Sequence, residues 1–384
     1  MYAGGFMGPF GGAMVFPMLP ELRDGLHTTL TVAASSLTAY MVPFAALMLV
    51  SGTLAERWGR RRTVQTAFIG YAAASALCAL ATGPLAFMAG RAGQGAANAF
   101  TTPVLVAAIS DLVSPDRLGP ALGRFGGFSA AGQAFAPLVG GLAAAVQWRL
   151  AFAASVVVAL VLASFPPPNA RPGRGVAKGE RWRSLLNRRL ALACAIALLL
   201  YHTALGTTVL AALLAGDRFG LGPDGRGLVI AVFGIAGLAS GARFGRGLDR
   251  LGTRRFGISA LVAMGLAAVG VGLAARLPAF VVALAVGGAA GTAGRVTVNS
   301  LAVRSTPVNP GGATSMTLAW QFLGGAVAPA LLLPVYRIDP RLSLLAAGST
   351  ALAAALLLAV VNSSLLPGRA GVPAARAPSR EIRG

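Results

Sequence analysis

Three ionisable side chains lie inside segments that are otherwise apolar: Arg91, His202 and Arg295. A charged group removed from water is stabilised only when it is paired, hydrogen-bonded or able to reach water. We therefore expect these three side chains either to line a wet cavity or to contact polar partners.

The chemistry that His202 could perform is proton transfer, because an imidazole changes its charge near neutral pH. Thr207 lies about one turn further along the same segment. A neutral, hydrogen-bonded core histidine is the alternative, and the sequence leaves both open. No acid lies deep in any apolar segment, so another proton carrier would be an acid near a segment end, such as Glu21, Asp111 or Asp217.

Polar residues near Arg91 recur at helical spacing. At 100° per residue, one stripe of this helix contains Arg91, Gln94, Asn98, Thr101 and Thr102. Such a stripe predicts a helix face that lines a cavity. The alternative is an arginine whose side chain extends to the outer headgroups of a membrane.

A smaller stripe in a later segment contains Thr292, Arg295 and Asn299. No acid lies on that segment, so Arg295 indicates either an anionic or polar-lipophilic substrate or pairing with backbone carbonyls. Gln321 follows Trp320 in the next segment. This pair could contact an aromatic or lipophilic compound, or it could serve packing alone.

A stretch rich in glycine and arginine occurs twice, 193 positions apart, beginning at Gly52 and at Gly245. Each copy has an acid four residues after its first glycine and a second glycine three residues after the acid. The positions of interest are Gly52, Glu56, Arg57, Gly59, Arg60 and Arg61, then Asp249, Arg250 and Gly252. A polar cluster that repeats at half the chain length, between apolar segments, predicts two similar halves.

Glycines and a proline form a further pattern at Gly123, Gly132, Pro137, Gly140 and Gly141. Glycine lets membrane helices approach closely, and proline removes one backbone hydrogen bond and bends a helix. Residues 132–137 have a counterpart at 324–329. The alternative is glycine-mediated packing with no further role.

The composition is that of an integral membrane protein. Of 384 residues, 56% are hydrophobic and 11% are charged, and the mean hydropathy is +0.72. A soluble domain tolerates more charge and needs less apolar surface. The net charge of +21 would suit nucleic acid, but arginines collect in cytoplasmic loops of membrane proteins, so we expect no nucleic-acid partner. Cys78 and Cys194 form no disulfide or metal-binding pattern.

Twelve segments are long enough to cross a membrane, since about 20 apolar residues span its core. They cover 2–20, 29–51, 63–82, 84–108, 119–142, 149–166, 190–214, 227–244, 256–275, 278–301, 312–334 and 342–362. We predict an all-α integral membrane fold of twelve transmembrane helices in two pseudo-symmetric six-helix bundles, 1–165 and 190–362. A linker at 166–189 joins them, and a disordered tail follows at 363–384. The first segment lacks a basic start, so we expect no cleaved signal peptide. The sequence leaves open whether that segment is complete.

The arginines divide the loops into two sides. One side contains most of them, including both copies of the repeated stretch, the linker and the tail. Positive residues accumulate in cytoplasmic loops. We therefore expect a multi-pass protein of the cell membrane with both termini in the cytoplasm.

The first copy of the repeated stretch resembles the loop signature of the major facilitator superfamily, a large family of secondary transporters. The run from Arg91 to Gly95 resembles the family's helix-four motif, and residues 136–141 resemble its antiporter signature. Two positions depart from the family pattern: Glu56 stands in place of an aspartate and Ala136 in place of a glycine. The resemblance is closest to the twelve-helix, proton-coupled efflux transporters of drugs or metabolites.

The resemblance implies a role for each motif. Glu56, with the loop arginines, would face residues 311–313 at the start of helix eleven and hold the halves together while the cytoplasmic side is closed. Asp249 would face residues 119–120 in the same way. Arg91 would face the central cavity and take part in proton coupling. The antiporter signature favours export in exchange for protons.

We therefore expect a secondary active transporter that exports small molecules by proton antiport. The alternatives are a proton-coupled uptake symporter for a small organic solute and a non-transporting membrane receptor or scaffold. No phosphate-binding loop, metal-ligand cluster or nucleophile triad is recognisable, so we expect no enzymatic activity, no metal and no cofactor. The expected partners are a small-molecule substrate, protons and the lipid bilayer, and we expect a monomer.

Overall fold

The computed structural model describes residues 1–168, 184–306 and 309–360, and these residues form helices and no strand. Long runs of alanine, leucine and valine favour this outcome, because in an apolar environment a helix satisfies its backbone groups internally. The α-helices are α1 Tyr2–Ala13, α2 Leu19–Gly25, α3 Leu30–Trp58, α4 Arg60–Leu80, α5 Pro84–Asn98, α6 Thr102–Leu112, α7 Pro115–Val146, α8 Arg149–Ser164, α9 Arg188–Phe219, α10 Pro223–Leu251, α11 Thr253–Leu273, α12 Leu277–Ser305, α13 Pro310–Ile338 and α14 Pro340–Val360. The prediction of an all-α chain is confirmed.

Nine helices in the described ranges are long and apolar enough to cross a membrane. They are α3, α4, α7 and α9 to α14. Helix α8 is apolar but has only 16 residues. The chain is therefore a multi-pass membrane protein by the length and composition of its helices.

Two of the predicted segments, 2–20 and 84–108, are each divided in the structure. Helix α1 ends at Ala13, four residues before Pro17, and α5 ends at Asn98, shortly before Pro103. Proline has no backbone N–H, and its ring collides with the carbonyl group four residues earlier. Those carbonyls belong to Ala13 and Ala99, so each proline explains the break that precedes it.

Parts of the predicted domain scheme lie outside the described residues. Residues 169–183 of the predicted linker at 166–189 lie outside the described residues, as does the whole predicted tail at 363–384. For Asp249 the backbone belongs to α10, but its side chain also lies outside the described part.

Equivalent turns join α3 to α4 and α10 to α11. Gly59 and Gly252 occupy these turns with φ of 83° and 76°, a region that strongly favours glycine. The two positions are 193 residues apart, as in the repeated sequence. We call the end of the molecule that carries these turns the motif face and the other end the opposite face.

Close helix contacts also repeat at this offset. A Cβ atom on Gly95 would lie 1.9 Å from the Tyr40 carbonyl oxygen, and one on Gly288 would lie 1.8 Å from that of Phe233. Both members of the second pair follow the first by 193 positions. Identical backbone approaches at equivalent positions support a duplication of the chain.

The N-terminal half (1–168) meets the C-terminal half (184–360) along two helix pairs. Helix α7 crosses α10 so closely that a Cβ on Gly141 would lie 2.3 Å from the Pro223 carbonyl oxygen. Helix α3 contacts α13, where Thr38 Oγ1 donates to the Ala326 carbonyl at 2.6 Å. These two contacts enclose the space between the halves.

Candidate functional site

A central cavity lies between the two halves, with about 50 Å³ of free space in this conformation. The N-terminal half contributes residues near the end of α1 and from α7, and the C-terminal half contributes α9, α10 and α12. The lining residues are Ala13, Phe16, Ala130, Gln133, Pro137, Leu200, Tyr201, Ala204, Leu205, Thr208, Ile230, Phe233, Gly234, Leu238, Gly288, Gly291, Thr292 and Arg295. Most of this wall is apolar.

Arg295 is the charged residue of the central cavity. Its Nη1 donates to Gln133 Oε1 at 2.7 Å, and its Nη2 donates to Thr292 Oγ1 at 3.0 Å. Because Gln133 belongs to α7, the first of these bonds joins the two halves. Both acceptors are neutral, and no acid is among the described residues that line this cavity.

The sequence stripe around Arg295 meets the cavity only in part. Thr292 and Arg295 line it, whereas Asn299, two turns after Thr292, is exposed and lies outside the lining. Gln133, Tyr201 and Thr208 line it but were not among the predicted site residues. The signal that could have found Gln133 is its place beside Gly132, in the pattern that recurs at 324–329.

Arg91 lies inside the N-terminal half and is not among the residues that line the central cavity. It is fully buried, and its Nη1 donates to the Gly11 carbonyl at 2.9 Å and to Gln94 Oε1 at 2.7 Å. Gln94 Nε2 in turn donates to Ser75 Oγ at 2.8 Å. The guanidinium also stacks over the Tyr40 ring, 4.5 Å from its centroid.

Asn98 and Thr101 extend the same polar network. Asn98 Nδ2 donates to Tyr40 Oη at 2.9 Å, and Thr101 Oγ1 donates to Asn98 Oδ1 at 2.7 Å. Arg91, Gln94 and Asn98 of the predicted stripe therefore contact α1, α3 and α4, and Thr101 joins this network through Asn98. The end of α1 supplies the acceptor for Arg91, because a carbonyl in the last turn of a helix has no partner within the helix, and the Gly11 carbonyl accepts from Arg91 instead.

His202 lies against α14 and outside the central-cavity lining. Its Nδ1 is 3.3 Å from Thr350 Oγ1, and only 6% of the residue is exposed. Its Nε2 has no hydrogen-bond partner among the described residues. Its neighbour Tyr201 lines the cavity instead, because consecutive residues of a helix point about 100° apart.

Thr207 and Gln321 are also buried and outside that lining. Thr207 Oγ1 and Gln321 Nε2 lack partners in the described part of the chain. As with His202, the adjacent residue Thr208 faces the cavity where Thr207 does not.

A second cavity, of about 260 Å³, opens near the motif face. We call it the latch cavity, and its lining residues are Met48, Leu49, Gly52, Glu56, Pro103, Leu185, Asn309, Gly311, Gly312, Ser315 and Met316. Asn309 caps α13 by accepting from the Gly312 backbone N–H at 3.0 Å. Glu56 and the start of α13 thus border one space, although Glu56 is exposed and forms no ion pair with the described residues.

The arginines of the first loop have different surroundings. Arg60 forms an ion pair with Asp111, at the end of α6, and donates to the Ala107 carbonyl at 2.7 Å. Arg57 and Arg61 are exposed, as is Arg250 in the second copy. Arg60 therefore joins elements of the same half.

An ion pair joins the halves near the opposite face. Arg226, near the start of α10, pairs with Glu21 of α2. Arg226 is 5% exposed as a residue, and the Glu21 side chain is 24% exposed. The sequence showed Arg226 as one of several arginines in the loops of the opposite face. No sequence pattern predicted that it would pair with Glu21.

Three glycines of the glycine and proline pattern in α7, Gly132, Gly140 and Gly141, pack against backbone atoms of other helices or turns. A Cβ on Gly132 would lie 2.2 Å from the Phe6 carbonyl oxygen, and one on Gly140 would lie 2.0 Å from that of Met14. Gly141 faces the other way, toward α10. Gly123 has no atom within 4 Å of such a Cβ, and Pro137 lines the central cavity.

Known proteins resemble this chain in sequence and in fold. A family model described as Major Facilitator Superfamily matches residues 1–329. The puromycin resistance protein pur8 of Streptomyces alboniger is 32% identical over 170 residues, which cover 43% of this chain and 34% of that protein. A multidrug resistance protein B homolog of Mycobacterium tuberculosis is 33% identical over 149 residues, covering 38% and 28%. The matched segments thus span about a third of each of these relatives.

A solved structure gives a match in fold. The crystal structure of a D-xylose-proton symporter has a TM-score of 0.76 at 16% identity, and the alignment covers 93% of this chain and 95% of that one. The family model covers most of the 384 residues. The chain therefore belongs to the major facilitator superfamily, as its motifs predicted.

Proposed function

We propose that this protein is a secondary active transporter that exports small molecules in exchange for protons, by alternating access. The observation that carries the proposal is the central cavity, which both halves line and in which Arg295 bonds across to Gln133. A mostly apolar pocket with a few polar groups suits an organic solute. Export is supported by relatives named for puromycin resistance and multidrug resistance.

We propose twelve membrane crossings, six in each half. The nine long helices supply nine, α8 supplies one, and the broken pairs α1–α2 and α5–α6 supply one each. These pairs cover residues 2–25 and 84–112, which at 1.5 Å per residue is enough for a core of about 30 Å. The bundles would be 1–165 and 190–362, with the linker 166–189 and the tail 363–384 on the motif face.

The motif face would be cytoplasmic, together with both termini, because it carries most of the arginines. Some arginines on the opposite face are hydrogen-bonded to backbone carbonyls. Arg149 donates to the Ala81 carbonyl at 2.9 Å, and Arg218 donates to that of Ala274 at 2.7 Å. We propose a location in the cell membrane and a monomeric state.

The two faces would open in turn. On the opposite face the α7–α10 crossing and the Glu21–Arg226 pair hold the halves together. On the motif face the latch cavity lies between Glu56 and the start of α13, so these two elements are apart in this conformation. Glu56 would bind the N-terminus of α13 when that face closes, because a helix N-terminus carries partial positive charge. Asp249 would act likewise at residues 119–120 of α7.

Transport by purified protein in proteoliposomes tests this function. An antiporter moves substrate toward the acidic compartment, and a symporter moves it toward the alkaline one. With a panel of lipophilic cations, anions and sugars, we expect accumulation in vesicles with an acidic lumen, beyond that in protein-free vesicles. Accumulation in an alkaline lumen would instead indicate the uptake symporter. Accumulation in neither, for every compound, would favour a receptor or scaffold over transport.

We expect His202→Ala to leave the pH dependence of transport unchanged. The imidazole contacts Thr350 of α14 rather than the central cavity, so its loss removes a packing and hydrogen-bonding group and no cavity charge. The measurement is the initial rate between about pH 5.5 and 8.5, where a histidine titrates. Thr350→Ala, which removes the same contact from the other side, is the control. A displaced pH profile in His202→Ala alone would identify this residue as the proton carrier.

A further inference from the structure

The charge of the central cavity has no counter-ion in the described structure. Arg295 bonds only to the neutral acceptors Gln133 and Thr292, and no acid is among the residues that line this space. The ion pairs found in the described ranges, such as Glu21–Arg226 and Arg60–Asp111, lie near the two faces. The cavity therefore presents a net positive charge to any occupant.

The guanidinium retains donors for a ligand. Arginine carries five N–H donors, and the bonds to Gln133 and Thr292 account for two of them. The planar group binds a carboxylate through two parallel hydrogen bonds, which are stronger than bonds between neutral groups. The bond to Thr292, which lies on the same helix as Arg295, also fixes the direction of the side chain, so it is already oriented before a ligand arrives.

The rest of the wall fits an apolar body. Phe16 and Leu205 approach from either half, and Ile230 and Phe233 of α10 lie beside them. Tyr201 also lines the space, and its ring packs edge-on against Phe322 with 6.0 Å between centroids. A cation would meet repulsion from Arg295 with no acid to offset it, and a sugar would leave its hydroxyl groups against apolar carbon.

We propose that the substrate is a lipophilic organic anion, a carboxylate on an aromatic or aliphatic body, with its carboxylate bound to Arg295. This inference rests on the proposed function, because it takes the central cavity as the transport site. The free space of about 50 Å³ admits only part of such a molecule in this conformation. Binding therefore accompanies a separation of the halves, which replaces the Arg295–Gln133 bond by bonds to the carboxylate.

The test compares three matched probes on the full chain in nanodiscs of neutral lipid. They are naphthalene-2-carboxylate, the uncharged naphthalene-2-carboxamide and a naphthyl trimethylammonium cation, with protein-free nanodiscs correcting for partition into lipid. Equilibrium dialysis gives the three dissociation constants. We expect the carboxylate to bind at least about tenfold more tightly than the carboxamide, as a charged hydrogen bond to arginine implies.

Variants assign the preference to one side chain. Arg295→Gln should abolish the discrimination between carboxylate and carboxamide, and Arg295→Lys should keep part of it because the charge remains. Arg304→Gln is the matched control, since Arg304 is exposed on the same helix and outside the cavity lining. It should bind like the unchanged protein.

Equal binding of carboxylate and carboxamide by the unchanged protein would overturn the inference even if Arg295→Gln did not fold. So would tighter binding of the cation, or full discrimination retained in Arg295→Gln. A different result would contradict the proposed function: a carboxylate that binds but is never transported would contradict transport and leave the substrate class in place. Transport of cations or sugars with no carboxylate binding would contradict the substrate class alone.

Discussion

Gly141→Ala is expected to reduce transport roughly 5- to 150-fold while the protein still inserts and folds, since overpacking of a tight contact costs about 1–3 kcal/mol. The new Cβ would lie 2.3 Å from the Pro223 carbonyl oxygen and 2.9 Å from Gly227 Cα, both backbone atoms. Backbone of two crossing helices cannot move aside as a flexible side chain can. The substitution destabilises the conformation in which α7 and α10 meet, and it does not destabilise the conformation that is open at the opposite face.

Gly126→Ala is the matched control for this prediction. It makes the same chemical change on the same helix, and its Cβ would have no atom within 4 Å, so any gain in helix propensity is common to both variants. Initial rates in proteoliposomes give the effect, and size-exclusion profiles report folding. Equal rates for the two alanine variants would mean that the α7–α10 crossing does not need to close during transport.

Breaking the Glu21–Arg226 pair should have the second large effect. Glu21→Gln and Arg226→Gln are each expected to lower transport roughly 10- to 150-fold, because hydrogen bonds to charged groups contribute about 1.5–3 kcal/mol. Arg226 is 5% exposed, so the loss of Glu21 leaves a nearly buried cation unpaired. The conformation closed at the opposite face is destabilised in both variants.

Charge exchange separates pairing from other roles of the two residues. The double variant Glu21→Arg with Arg226→Glu should recover much of the rate that each single variant loses. Arg23→Gln is the control: Arg23 pairs with the adjacent Asp24 at 2.7 Å, with both side chains well exposed, and such surface pairs contribute little. Additive losses in the double variant would show that the pair does not couple the halves.

Much of the fold could be predicted because it depends on composition and local chemistry. Apolar runs of sufficient length predicted helices, and the stretch that repeats 193 positions apart predicted two similar halves. In the structure the second glycines of the two copies, Gly59 and Gly252, occupy equivalent turns with positive φ. The breaks after Ala13 and Asn98 were not predicted. Pro17 and Pro103 mark them in retrospect, but prolines inside α7 and α13 do not end those helices, so the sequence alone does not separate the two outcomes.

The site was harder to predict, because it depends on helix rotation and on contacts between distant segments. Tyr201 and His202 differ by one position, yet the first lines the central cavity and the second contacts α14. The stripe of Arg91 has the period expected of a cavity wall, but its partners lie on α1, α3 and α4. A periodic stripe indicates that one face is polar without indicating what that face contacts.

Reciprocal motion of the two faces is the most direct test of alternating access. Spin labels at Val146 and Leu228, exposed on α7 and α10 near the opposite face, report one distance. Labels at Leu112 and Val303, exposed near the ends of α6 and α12 at the motif face, report the other. In nanodiscs, when the pH is lowered or substrate is added, we expect double electron–electron resonance to show one distance lengthening as the other shortens. Two distances that stay fixed, or that lengthen together, would contradict alternating access around the central cavity.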